Sequence, residues 1–209
     1  MHIYWHGQNC FKIVSKDVTL ITDPFGTELG IKPPRTGANI VTLSCQDYNA
    51  GGIKNDPLIF DTPGEYEAKG VLLRGFWSYR DKEQGKKLGV NNIFTMEVEG
   101  LRLCHLGDIG HALDDKLENK IDGVDILFVP VGNSDVIDSK KAVEIVKQIE
   151  PSLVIPMHFK LPGLKPKLKD AQDFLREMGF ESTKPENKLL IKKKDLDAEK
   201  TEVKILKTS

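Results

Sequence analysis

Residues that can bind metal ions, transfer protons or act as nucleophiles follow predicted strands at several separate points of this chain. The segment Leu43-Ser44-Cys45-Gln46-Asp47-Tyr48 ends a short apolar strand predicted over residues 39–43 and continues past it. A carboxylate there can hold a metal ion, and a cysteine can ligate one or attack a substrate. Tyrosine ligates only as a phenolate, against an unperturbed pKa of about 10. Comparable segments are Asp23-Pro24-Phe25, His105-Leu106-Gly107-Asp108 and Pro156-Met157-His158-Phe159.

The elements that must position these residues are strands in the first half of the chain. Apolar positions predict an antiparallel meander over residues 3–5, 10–14 and 18–22. Further strands are predicted over residues 39–43, 58–60, 66–68, 71–77, 93–98 and 101–105. Glu99-Gly100 indicates a tight turn between the last two of these strands.

The second half alternates strand and helix. Buried-type strands over residues 124–129 and 153–156 flank a helix over 139–149, which Asp138-Ser139 can cap and Pro151 prevents from continuing. A second helix is predicted from Lys169 to Met178, with Gly179 as its stop. Charged strands over 189–194 and 202–206 are expected at sheet edges. We therefore expect one α/β domain over residues 1–209.

Composition excludes several classes of function. The 30 basic and 31 acidic side chains give a net charge of -1, so no electrostatic field favours nucleic acid. No apolar run approaches the roughly 20 residues of a membrane span, and the start does not read as a signal peptide. The odd number of cysteines, Cys10, Cys45 and Cys104, is typical of reduced thiols. We expect a cytoplasmic protein without a membrane segment.

In order and spacing, these motifs resemble the metallo-β-lactamase superfamily. The resemblance also includes Trp5-His6-Gly7-Gln8-Asn9-Cys10-Phe11 and Thr62-Pro63-Gly64-Glu65-Tyr66, and it spans nearly the whole chain. It is closest to the cytosolic metal-dependent hydrolase branch that includes the ascorbate-phosphate lactonases. The resemblance implies a four-layer αββα sandwich of the metallo-β-lactamase type.

The resemblance also implies a metal site that has lost ligands. Bimetal hydrolases of this superfamily carry His-x-His-x-Asp-His, of which this chain keeps only Asp47. Leu43, Cys45 and Tyr48 stand at the three histidines, and leucine has no atom that can ligate a metal. Arg80 stands at a further histidine position. It can fill the vacated metal position with a permanent positive charge, or it can be an exposed loop residue.

Other positions of the family pattern are kept. Asp108 matches the aspartate that bridges the two metals, His158 matches the last ligand of the second metal, and Asp23 matches a carboxylate that supports the ligands from behind. Asp47, Asp108 and His158 can therefore form one three-ligand site for Zn, Mn or Fe, which water and Tyr48 can complete.

The same residues have structural alternatives. Asp108 can cap the amides that follow it, and Asp47 can cap a turn or pair with Arg80. His158 can be a hydrogen-bonded residue at the end of a strand. Cys45 can be a nucleophile if its pKa is depressed, but a cysteine at a half-buried position more often packs as a small hydrophobe.

Two functions follow from these alternatives. The first is a metal-poor or non-catalytic relative whose pocket, with Cys45, Tyr48, Arg80 and His105, binds a ligand or partner. The second is a mono-metal hydrolase of ester, lactone or phosphoester substrates, with Asp47 and Asp108 as catalytic residues and one Zn, Mn or Fe ion as cofactor. The expected ligand is a small anionic molecule. The sequence predicts no oligomeric state.

Overall fold

A computed structural model of the chain describes residues 1–132, 136–180 and 183–209. These residues form two β-sheets. The first sheet contains β1 (His2–Gly7), β2 (Cys10–Val14), β3 (Thr19–Thr22), β4 (Ile40–Thr42), β5 (Leu58–Phe60) and β12 (Leu189–Leu190). The second contains β6 (Gly64–Ala68), β7 (Val71–Tyr79), β8 (Val90–Val98), β9 (Leu101–His105), β10 (Ile126–Pro130), β11 (Leu153–Met157) and β13 (Glu202–Val203).

The sheets face each other across a common apolar core. Phe11 of β2 and Phe128 of β10 come from different sheets, are fully buried, and have ring centroids 4.4 Å apart. The outer face of the first sheet, which includes Ile21 and Val41, packs under residues 24–53. The predicted α/β fold is confirmed, with two facing sheets and helices in the second half of the chain.

The three α-helices of the described residues lie in the second half of the chain. They are α1 (Asp115–Lys120), α2 (Ser139–Ile149) and α3 (Gln172–Glu177), with short 3₁₀ helices at Thr27–Leu29 and Lys193–Asp195. The predicted bounds of α2 are confirmed, because the Asp138 carboxylate accepts a hydrogen bond from the Lys141 amide at 2.9 Å and caps the helix. The described residues include no helix long and apolar enough to cross a membrane.

Strand direction brings the candidate site together. Strands β3 and β4 are parallel in the first sheet, and β9, β10 and β11 are parallel in the second. Strand β7 runs in the direction of β9, because both are antiparallel to β8. The segments that follow β3 and β4 therefore lie at one edge of the first sheet, and those that follow β7, β9 and β11 lie at one edge of the second. These segments contain the candidate residues.

Several predicted bounds were wrong at their ends. The helix predicted from Lys169 begins only at Gln172, because the Lys169 amide donates to the Gly132 carbonyl at 2.8 Å instead of entering a helix. The strand predicted over 189–194 ends at Leu190. There the Asp195 carboxylate accepts a hydrogen bond from the Lys192 amide at 3.0 Å and closes a turn.

Other differences concern elements in which polar residues interrupt the apolar pattern. Helix α1 was not predicted, although Asp114 caps it through a 2.8 Å hydrogen bond from the Leu117 amide. Strand β8 begins at Val90 rather than at residue 93, because it pairs with the end of β7 at Tyr79. The strands β12 and β13 do lie at sheet edges, as predicted.

Candidate functional site

The buried carboxylate of Asp108 is the centre of the candidate site. Five described side chains contact it: Asn9, Tyr48 and His158 at Oδ1, and Arg80 and Cys45 at Oδ2. The Asn9 amide donates at 2.6 Å and the Tyr48 hydroxyl at 3.1 Å. Burial alone would raise the pKa of Asp108, but its contacts with His158 and Arg80 outweigh burial and hold that pKa well below its usual range.

Arg80 bridges the two carboxylates of the site. Its Nη1 lies 2.6 Å from Asp47 Oδ2 and its Nη2 lies 3.2 Å from Asp108 Oδ2. Burial opposes the charge of the guanidinium, yet the two carboxylates raise the pKa of Arg80 above its ordinary value. Asp47 therefore pairs with Arg80, which was one of the alternatives left open by the sequence.

His158 and Asn9 hold the opposite side of Asp108. His158 Nδ1 lies 3.1 Å from both Asp108 Oδ1 and Asn9 Oδ1. Because the Asn9 amide nitrogen donates to Asp108, its oxygen faces the ring, and His158 Nδ1 carries a hydrogen between two acceptors. His158 has a left-handed backbone, with φ of 52°, which turns the chain away from β11.

Cys45 and Tyr48 are neutral members of the cluster. Burial raises the pKa of the Cys45 thiol, and the carboxylates of Asp108 and Asp23 raise it further. Burial likewise raises the pKa of Tyr48 well above its ordinary value, with Asp108 adding to the effect. Each group thus remains protonated and acts as a donor toward Asp108, which opposes a nucleophilic role for Cys45.

Asp23 and His105 lie behind the cluster. Asp23 accepts hydrogen bonds from the amide and the hydroxyl of Ser44, both at 2.6 Å, and burial raises its pKa to about 8. His105 donates from Nε2 to the Asn9 carbonyl at 2.9 Å, and burial lowers its pKa to about 4. His105 is therefore neutral at pH 7 and fixes the backbone of the turn that carries Asn9.

A compact loop after β7 positions Arg80. The Asp81 carboxylate accepts hydrogen bonds from the amides of Glu83, Gly85, Lys87 and Leu88, at 2.7 to 3.0 Å. These four bonds lower the pKa of Asp81, the Leu88 bond most strongly. On the other side, a Cβ at Gly110 would lie 2.0 Å from the Arg80 carbonyl oxygen, so only glycine permits this approach.

The structure thus brings together most residues that the sequence singled out. Asp47, Asp108, His158, Cys45, Tyr48 and Arg80 form one cluster, with Asp23 and His105 behind it. Two members were missed. Asn9 contacts both Asp108 and His158, and the Asn91 side-chain oxygen accepts a 2.8 Å hydrogen bond from the Asp108 amide. Buried asparagines inside or beside a strand are the signal that could have identified them.

The cluster does not fit a metal ion. Among the described residues, no group of three or more His, Cys, Asp or Glu side chains is arranged to hold one. Both Asp108 oxygens already accept from nitrogen, oxygen or sulfur donors, and Cys45 and Tyr48 are protonated. A divalent cation on Asp108 would also lie beside the permanent charge of Arg80, which is 3.2 Å from that carboxylate.

Comparisons with a family model and with known proteins indicate the same family for this chain. The model of the beta-lactamase superfamily domain matches residues 2–158. A UPF0173 metal-dependent hydrolase of Carboxydothermus hydrogenoformans is 29% identical over 174 residues, covering 79% of this chain and 77% of the relative. Another, from Thermoplasma acidophilum, is 27% identical over 192 residues, covering 76% and 83%.

A solved structure agrees over the whole chain. A metallo-β-lactamase superfamily protein from Thermotoga maritima shares 32% identity and a TM-score of 0.81, with 99% of this chain and 98% of that chain covered. Sequence and structural similarity therefore extend from the first sheet through the segments that carry Asp108 and His158.

Proposed function

Because this chain belongs to the β-lactamase superfamily and holds Arg80 between Asp47 and Asp108, we propose that it is a metal-independent member that binds a small anionic molecule. In this proposal it does not hydrolyse substrates with a metal-activated water. The positive charge that a metal would supply to Asp108 comes from the guanidinium. Three buried free cysteines support a cytoplasmic location as part of the same proposal.

The observation that carries this proposal is the pair of contacts made by Arg80. Asp108 is almost completely buried, with 3% of its side chain exposed, so its charge needs a partner inside the protein. Arg80 supplies that partner at 3.2 Å with only 14% of its own side chain exposed. The positive charge of this buried guanidinium balances the negative charge of Asp108, so no added ion is needed.

A mono-metal hydrolase is the second candidate. The names of the relatives support it, since they are metal-dependent hydrolases. Asp47, Asp108 and His158 would hold the ion, Zn, Mn or Fe, and the ion would supply an activated water for an ester, lactone or phosphoester. This candidate requires Arg80 to leave both carboxylates, which opposes two ion pairs observed in the site.

Chelation separates the two candidates. For the metal-independent protein we expect the same Tm before and after prolonged treatment with EDTA, because a ligand stabilises a fold only if the native state binds it. We also expect no chelator-sensitive hydrolysis of p-nitrophenyl acetate or bis-p-nitrophenyl phosphate. A Tm that falls with EDTA and recovers with Zn²⁺, in the parent but not in an Asp108→Ala/His158→Ala variant, would establish the second candidate.

A further inference from the structure

A cleft opens beside Arg80, outside the buried cluster. Its volume is about 320 Å³, which is in the range of small-molecule sites. The loop after β7 forms one wall, and the start of α2 with the residues before it forms the other. The residues that matter for its chemistry are Arg80, Lys82, Lys87, Leu88, Ile137 and Lys141.

The cleft favours an anion despite the carboxylates in its walls. Asp81 and Asp138 are engaged with backbone amides, Asp81 with the four amides of its loop and Asp138 with the Lys141 amide that it caps. Glu83 pairs with Lys87 at 2.5 Å. The cationic groups of the walls are Arg80, Lys82, Lys87 and Lys141, of which Lys141 also pairs with Glu144. Leu88 supplies the exposed apolar surface, with the buried Ile137 behind it.

Asp47 is the exchangeable partner of Arg80. The Asp47 side chain is 56% exposed, whereas that of Asp108 is 3% exposed. Nη1 of Arg80 contacts Asp47 and also donates to the Leu88 carbonyl at 3.3 Å, so this nitrogen lies between Asp47 and a wall of the cleft. An anion that enters the cleft therefore meets the outer edge of the guanidinium, where an exposed ion pair is weak.

We infer that the cleft binds a small molecule with a phosphate or carboxylate group next to a short apolar group, and that its anionic group replaces Asp47 on Arg80. A carboxylate and a phosphate each present two oxygens that can accept hydrogen bonds from the paired N–H groups of a guanidinium. Leu88 contacts the apolar part, and Lys141, although it pairs with Glu144, adds positive charge to the wall that the anion faces. This inference rests on the proposed function, because a metal ion in the site would require Arg80 to leave.

The test is calorimetric titration of the full chain with phenyl phosphate, and in parallel with inorganic phosphate, in the presence of EDTA. We expect saturable binding of phenyl phosphate, with inorganic phosphate weaker because it lacks the apolar part. In Asp47→Asn the competing carboxylate is gone, and phenyl phosphate should bind roughly fivefold more tightly. In Lys141→Glu it should bind more weakly. Lys147→Glu, at the far end of α2, is the matched control and should bind as the parent does.

The inference is overturned if phenyl phosphate does not bind the parent or Asp47→Asn saturably. It is also overturned if Asp47→Asn does not gain affinity, or if Lys147→Glu weakens binding as much as Lys141→Glu. Its failure is distinct from failure of the proposed function. A chain whose Tm is insensitive to EDTA but which binds neither probe refutes only the inference, whereas binding that requires added Zn²⁺ refutes the proposed function.

Discussion

Asp108 shows how burial turns one carboxylate into an organising residue. Removed from water, its charge is tolerated because Arg80 and His158 lie within 3.2 Å and because Asn9 and Tyr48 donate to it. Three of these donors share the oxygen Oδ1, whereas Arg80 alone brings a permanent positive charge. The cost of removing Arg80 should therefore exceed the cost of breaking a surface ion pair.

Replacement of Arg80 tests this reasoning. Arg80→Met leaves the buried Asp108 charge without its cation, and we expect the free energy of unfolding to fall by about 3–5 kcal/mol at pH 7. Arg102→Met is the matched control, since Arg102 pairs with Glu97 at 2.9 Å on the surface and should cost about 1 kcal/mol or less. Urea denaturation measures both. Equal losses in the two variants would show that Arg80 does not balance a buried charge.

His105 gives a prediction with a defined sign in pH. Burial lowers its folded-state pKa to about 4, whereas the unfolded chain has a value of about 6.5. The contribution of neutral His105 is complete above pH 6.5 and is lost as the pH falls toward 4, on the order of 3 kcal/mol. We expect His105→Gln to be less sensitive to acid than the parent over this window, in urea denaturation at several pH values. Parallel pH profiles would contradict this prediction.

At the scale of elements, strand ends bring the site together and one loop refines it. Asp108 and His158 follow the parallel strands β9 and β11 of the second sheet, so the directions of these strands place them at one edge of it, and Asp23 follows β3 of the first sheet. Arg80 needs more, because it begins a loop whose course depends on the Asp81 carboxylate. The precision of the central ion pair thus depends on an exposed residue outside it.

Asp81→Ala tests the role of this loop. Without the carboxylate, the amides of Glu83, Gly85, Lys87 and Leu88 lose their acceptor, and hydrogen exchange at these amides should accelerate. Asp197→Ala is the control, because Asp197 also accepts from an amide in an exposed turn, that of Glu199, but lies far along the chain. It should leave exchange in the loop unchanged. The same exchange pattern in both variants would rule out Asp81 as the organiser.

Hydrophobic patterning predicted which elements exist better than where they end. Helix α2 was located correctly because a capping aspartate and one apolar face agree over its whole length. Strand β8 was predicted too short because Asn91 and Asn92 interrupt the pattern, although their side chains bond to the carbonyls of Leu106 and Asp61. Such partners are distant in sequence, so no local pattern contains them.

At the scale of the whole molecule, several separate motifs were enough to predict the family, and the family predicted the sandwich fold. From the resemblance, the sequence also predicted that Leu43, Cys45 and Tyr48 stand where the family has histidines. The sequence did not identify the cation that pairs with Asp108. Arg80 remained one of two alternatives because loop spacing does not determine which loop residue enters the interior, and its bridge to Asp47 and Asp108 became evident only in three dimensions.

The most direct test of the account is the metal content of the intact, untagged chain. The protein would be purified without chelator, incubated with Zn²⁺, Mn²⁺ or Fe²⁺, desalted, and measured by elemental analysis beside Asp108→Ala/His158→Ala. Because Arg80 already balances Asp108, we predict no stoichiometric metal in either protein. One equivalent of metal in the parent, absent from the variant, would contradict the claim that a guanidinium takes the place of the ion.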